Sequence, residues 1–253
     1  MRASTISPKK ILRIARPALV LLFWLSVWEL LALAVGNSYF LPSVFETLSA
    51  LGVIIRKEYF WGSVLMTLLR VCAGLVLGII SGALLAFLCN RFSAVNAVIS
   101  PLISVIKATP VATFIVLLWI FLSGNQLTIL IAFLMVLPIV WQNLSDGLRT
   151  ISRELTEAAD VFELSRKRRI RLIYFPTLVS YLFPAIVTSI GLAWKSEVAA
   201  EIIAYTKNSI GQHINDSKYF MDTPSVFAWT VVVVLISILF ERGARALLLR
   251  WSK

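Results

Sequence analysis

Residues 63–89 read SVLMTLLRVCAGLVLGIISGALLAFLC, and Arg70 is the single charge in the run. A helix rises 1.5 Å per residue, so 18 or more apolar residues cross a hydrocarbon core about 30 Å thick. The run reads as a transmembrane helix. Gly74, Gly78, Gly82 and Ala86 recur every fourth residue and share one helix face. Small residues on one face let a second helix approach closely, so this face is expected to pack against another helix.

Five further apolar runs flank it. The first is Ala18 to Val35, stopped by Gly36-Asn37. Val95 to Leu122 is long and carries Pro101 and Pro110, so its membrane part is expected to begin near Pro110. Leu127 to Trp141, Leu178 to Ala200 and Val226 to Phe240 complete six candidate spans. The 253 residues are 59% hydrophobic, against about half in an ordinary soluble domain. The expectation is an all-α polytopic membrane protein: residues 1–17 form an N-terminal segment, and 18–253 form a single membrane domain with a core at about 60–245. Residues Arg2 to Arg16 followed by an apolar run resemble a signal peptide, but the run is too long and lacks a small-residue cleavage site. It is read as a retained first helix.

The formal net charge is +11. In a soluble protein that would suggest nucleic acid. In a polytopic chain it reads as Lys and Arg collected in cytosolic loops, so no nucleic-acid partner is expected. With the N-terminus inside, 17 of the 24 Lys and Arg residues fall in inner segments and 4 in outer ones. That split favours both termini in the cytosol, and an even number of spans agrees by placing them on the same side.

Chemistry-bearing motifs are sparse. Cys72 and Cys89 lie about 25 Å apart along one helix and cannot bridge each other. The only histidine, His213, has no companion for a metal site. There is no phosphate loop, zinc-protease motif or nucleophile elbow. Neither catalysis nor a bound cofactor or metal is expected, and any energy for active transport must come from an ion gradient or a partner subunit.

The most informative segment is the inner loop between Gln142 and Pro176. Ser152 is placed to cap a helix whose early positions hold Glu154, Glu157 and Asp160, where acids suit the positive helix end. Leu155, Ala158, Ala159 and Phe162 recur at helical spacing and make one apolar face. A basic run, Arg166 to Arg171, precedes Ile173-Tyr174-Phe175-Pro176 at the next membrane entry. Such a short amphipathic helix either rests on its own protein or docks into a partner groove.

Glu157-Ala158-Ala159 followed by Ile173-Tyr174-Phe175-Pro176 resembles the EAA loop in permease subunits of binding-protein-dependent ABC importers. Where that family has Gly six residues after the Glu, this chain has Glu163, which leaves the geometry of the left-handed turn there open. Phe175 replaces the family's Leu before Pro. Further similarity runs from about Leu41 to Glu241 and points to the nitrate, sulfonate and taurine branch. It includes Thr67-Leu68-Leu69-Arg70 with the glycine ladder, Trp119, Phe121 and Gly124, Pro138, Asn143 and Gly147, and the segment Ala193 to Glu201. The resemblance implies a type I importer permease fold of about six spans in the inner or plasma membrane. It implies a second permease copy, cytosolic ABC ATPase subunits that bind the ATP, and an extracytoplasmic solute-binding protein. It assigns Glu157, Ala158, Ala159, Phe162, Glu163 and Pro176 to ATPase coupling, and a small anion or heterocycle as solute.

Independent of that likeness, charges within spans are costly, about 2.5–3.5 kcal/mol each on insertion scales. Glu29, Arg70, Lys195, Glu197 and Glu201 are therefore candidates for a pathway or for internal ion pairs. Trp194, Lys195 and Glu201 are read as near the translocation path, with Lys195 paired to an acid such as Glu29 as the structural alternative. The competing functional class is an ion-coupled secondary transporter, which would carry an inverted repeat.

Overall fold

The computed structural model describes residues 8–251, and every regular element among them is helical. Arg2 and Lys253, two of the inner-segment charges, lie outside the described residues, as does most of the N-terminal segment's first half. In chain order the helices are α1 (Pro8–Val35), α2 (Val44–Ile55), α3 (Tyr59–Arg91), α4 (Ser93–Ala108), α5 (Val111–Trp119) and α6 (Gly124–Thr150). They continue as α7 (Arg153–Val161), α8 (Arg166–Arg169), a π-helical turn (Ile170–Tyr174), α9 (Phe175–Ile203), α10 (Ile210–Tyr219) and α11 (Thr223–Trp251).

Five described stretches are long and apolar enough to cross a membrane: Arg16–Val35, Tyr59–Arg91, Gly124–Thr150, Arg166–Ile203 and Thr223–Ala246. The α4–α5 pair makes a sixth if it counts as one span, and it is bent by 103°. The bend falls at Thr109–Pro110. A proline ring disfavours helical backbone in the residue before it, and Thr109 is extended at φ −83°, ψ 127°. Pro101 does not interrupt the helix, and it lies inside α4. Pro176 has a different effect. The amide of Phe175 reaches back five residues to Ile170, and this widened turn leads into the proline that has no amide to donate.

The chain divides into two compact units. One comprises the residues up to Phe60 with Ile214–Val231. Within it, Glu29 Oε2 accepts the Val44 amide at 2.8 Å and so caps the start of α2, while Trp28 Nε1 donates to Pro42 O at 3.0 Å. Ser43 and Glu46 form a reciprocal capping box. Hydrogen bonds from the Ser38 hydroxyl and then the Ser43 amide hold the Glu46 carboxyl below its usual range.

The other unit comprises Trp61–His213 with the residues from Val232 onward. Its axis is α6, which packs against α9, α4 and α5. Ile115, Leu127, Ile131, Ala200 and Ala204 form a fully apolar cluster there. On the far side of α6 sits the glycine face of α3. A methyl at Gly74 would come within 2.5 Å of Ala132 Cβ, and one at Gly78 within 2.6 Å of Val136 Cβ. At Gly82 it would meet Leu137 O and Val140 Cβ at 2.9 Å. The two backbones approach too closely for any larger residue.

Candidate functional site

Arg70 lies on α3, three residues after Thr67, so both side chains share one face. It is almost wholly buried, yet four of its hydrogen bonds are accounted for. Nη1 donates to Glu201 Oε1 at 2.8 Å and to Asn208 O at 3.3 Å. Nη2 donates to Lys207 O at 3.0 Å, and Nε donates to Asn125 Oδ1 at 2.9 Å. Glu201, near the end of α9, accepts in addition from Thr67 Oγ1 at 2.8 Å and from the Gly211 amide at 3.1 Å. Thr67 Oγ1 in turn accepts the Ile210 amide at 3.1 Å.

Gly211 is needed for this geometry. A Cβ there would overlap the Glu201 side chain and come within 2.7 Å of the Ile202 amide nitrogen. The cluster therefore joins α3, the first turn of α6, the end of α9, the following loop and the start of α10. A buried ion pair is tolerated only when such bonds satisfy its remaining donors and acceptors.

Glu197 lies one helical turn before Glu201 and is also fully buried. Neither of its carboxyl oxygens has a hydrogen-bond partner, although Glu201, Arg70 and Thr128 are its polar neighbours. Trp194 is buried too, 6.5 Å between ring centroids from Phe240 of α11, with its Nε1 unbonded. Lys195 projects from the exposed side of α9. The three residues read as path candidates are thus split. Trp194 and Glu201 face the interior and Lys195 faces out. Glu201 takes Arg70 as its cation, and Glu29 caps α2. Thr67 carried a local signal, its spacing from Arg70. Asn125, Gly211 and the carbonyls of Lys207 and Asn208 carried none. Among the described residues no group of acids, His and Cys has metal-ligand geometry.

The loop helix α7 starts as its sequence suggests, with Ser152 Oγ accepting the Leu155 amide at 3.2 Å. Its end is a two-bond cap. The Leu164 amide donates to Ala159 O and the Glu163 amide to Asp160 O, each at 3.0 Å. Glu163 occupies the left-handed position of that cap, at φ +47°, where an L-residue is strained. Arg169 closes the turn by donating to Leu164 O at 3.0 Å and to Ala159 O at 3.3 Å, and by pairing with Asp160. Ala159 is turned inward at 2% exposure. Glu157 and Ala158 are exposed, and so are Leu155, Val161 and Phe162, the last two at 80% and 76%. Pro176 is exposed in the first turn of α9. The loop thus folds back onto the Ala159 carbonyl, with the Ala159 side chain covered, and leaves an apolar face of the helix exposed.

Residues 74–253 match the family described as the binding-protein-dependent transport system inner membrane component. The chain is 24% identical over 242 residues to the taurine transport system permease protein of Escherichia coli, covering 93% of this chain and 86% of that protein. It is 25% identical over 205 residues to the nitrate import permease protein of Synechococcus elongatus, covering 77% and 73%. Over 198 residues it is 24% identical to a bicarbonate transport system permease protein of the same species, covering 78% and 70%. Its fold is similar to a chain of the methionine ABC transporter solved in inward-facing conformations. The TM-score is 0.56 at 17% identity, with 76% of this chain and 94% of that one covered.

Proposed function

The chain belongs to the binding-protein-dependent transport system inner membrane component family, and from that premise we propose how it works within an ATP-driven importer. It is a multi-pass membrane permease subunit of the ABC type, with a transport rather than a catalytic role. In our reading two copies form the solute path, two cytosolic ATPase subunits bind and hydrolyse ATP, and an extracytoplasmic binding protein delivers the solute. ATP-driven closure of the ATPases favours one membrane conformation and hydrolysis resets it. Each ligand shifts that equilibrium only by its differential affinity for the two states.

The observation that carries this reading is the uncovered apolar face of α7, Leu155, Ala158, Val161 and Phe162, on a helix firmly capped at both ends. A rigid helix with one unpartnered face suits a partner groove. Ala158 lies in that face and Glu157 borders it, while Ala159, Glu163 and Pro176 belong to the loop that presents it. The test is copurification of the ATPase with the permease. Ala158→Trp should weaken that association at least tenfold while the permease itself melts as before. An unchanged association and unchanged uptake would remove α7 from the coupling contact. Both termini are proposed to be cytosolic, as the charge split favours, so a reporter fused at Arg166 should report from the same side as one at the C-terminus.

The solute is proposed to be a small anion, since relatives are named for taurine, nitrate and bicarbonate transport. Lys195, a cation on the exposed side of α9 with no described ion pair, is the residue proposed to attract it. Lys195→Met should cut anion uptake several-fold and leave melting within about 0.5 kcal/mol of the unchanged chain, as exposed substitutions do. Full uptake would rule the charge out of the path.

A further inference from the structure

An apolar cavity of about 530 Å³ opens where α3, α6, the π-helical turn and the first half of α9 meet. Ala83, Phe87, Leu144, Tyr174, Val179 and Leu182 are among its walls, and the lining is almost entirely carbon. Ile170 and Phe175 also reach it, and both are exposed, as is Leu172 between them. A soluble surface does not expose three large apolar side chains within six residues beside a basic run. Here the basic run is Arg166, Lys167, Arg168, Arg169 and Arg171.

Among the described residues, Arg169 is the one of these cations that is engaged, with Asp160 and two carbonyls. Arg166, Lys167, Arg168 and Arg171 are exposed, and none has an ion pair among the described residues. The segment thus sets free positive charge beside apolar side chains at the edge of an apolar groove. A bilayer surface is the environment that satisfies both at once. Hydrocarbon takes Ile170, Leu172 and Phe175, and the headgroup layer takes the cations.

We infer that this groove and its four free cations form a binding site for an anionic phospholipid, with an acyl chain in the groove and the phosphate against Arg166, Lys167, Arg168 and Arg171. Charge complementarity selects the occupant. A neutral lipid would fill the groove but leave the cations unmatched, and a soluble anion would match the cations but leave the groove open. The inference requires only that this end of α9 meets the bilayer surface. It does not depend on the ATPase partner or on the solute.

The test uses the full chain purified in detergent, with bound lipid counted by native mass spectrometry. The probes are a phosphatidylglycerol and a phosphatidylcholine with identical chains. Phosphatidylglycerol should bind at least tenfold more tightly than phosphatidylcholine, since each of the four basic residues near an anionic headgroup is worth roughly a few-fold on its own. The quadruple variant R166Q/K167Q/R168Q/R171Q should bring the two lipids level. Ala83→Phe should weaken both lipids several-fold by filling the groove. If Ala83→Phe does not melt like the unchanged chain, Val179→Phe is read in its place. Equal binding of the two lipids by the unchanged chain would overturn the inference. So would normal binding by the groove-filling variant, complete displacement of phosphatidylglycerol by equimolar glycerol phosphate, or disulfide linkage of two copies through Val179→Cys, which would make a second copy the occupant.

Discussion

Arg70 and Glu201 are 3% and 0% exposed and share their hydrogen bonds with four elements of the fold, whereas Asp160 and Arg169 are 66% and 31% exposed and close one turn of a loop. Both are ion pairs of an arginine with an acid, within the same compact unit. Their surroundings give them different weight. In the interior neither charge can exchange its partner for water, so the pair holds α3, α6 and α9 in register. In the loop, water competes for both charges, and the cap geometry of α7 does most of the work. An ion pair's importance is set by what replaces it when it breaks.

The largest effect should come from breaking the interior pair. Arg70→Met leaves Glu201 buried without its cation, which costs about 3–5 kcal/mol. Adding Glu201→Gln keeps one acceptor oxygen, which can take the place of Oε2 and serve both Thr67 and the Gly211 amide, while removing the charge, and should recover more than half of that loss. Melting in detergent reads both. A loss below about 1 kcal/mol for Arg70→Met, the scale of an exposed pair, would collapse the contrast between the two regions.

Overpacking the same interior comes next. Gly78→Leu drives a large side chain into Val136 and should cost about 1–3 kcal/mol or prevent assembly outright. Normal stability would mean that α3 can move off α6, and the close approach would then have no structural role.

The loop should respond on a smaller scale, and in one case with the opposite sign. Glu163→Gly relieves the left-handed strain but loosens the unfolded chain, for a net gain of about 0.5–1 kcal/mol. Thermal melting that falls instead would show that the glutamate side chain contributes a contact beyond its backbone. Asp160→Asn should change stability by only about 0–1 kcal/mol, because Arg169 keeps its bonds to Ala159 O and Leu164 O. A loss matching that of Arg70→Met would make the two regions equivalent after all.

Much of this organisation can be read along the chain. The apolar runs mark five spans and the bent pair. Ser152 and the acids that follow it mark α7, and the position of Glu163 marks the turn that needs a left-handed residue. Legibility ends where a residue's partner is remote. Arg70, Lys195, Glu197 and Glu201 look alike as charges in apolar runs, yet Arg70 and Glu201 pair within a hydrogen-bond network, Glu197 is buried without a bond, and Lys195 faces out. Likewise Ala158 and Ala159 are adjacent, identical in chemistry, and on opposite sides of the docking question.

Hydropathy, helical periodicity, capping and the Lys and Arg bias act over a few to about twenty residues. The sequence by itself therefore determined that the chain crosses a membrane as helices, where the loop helix begins and ends, and which family it resembles. Only the tertiary structure decided that Arg70 meets Glu201 across 131 residues of chain, that Gly211 must stand beside them, and that the glycine face of α3 meets α6. Those outcomes depend on which helix faces pack together, and the desolvation cost of a buried charge is settled only once its non-local partner is in place.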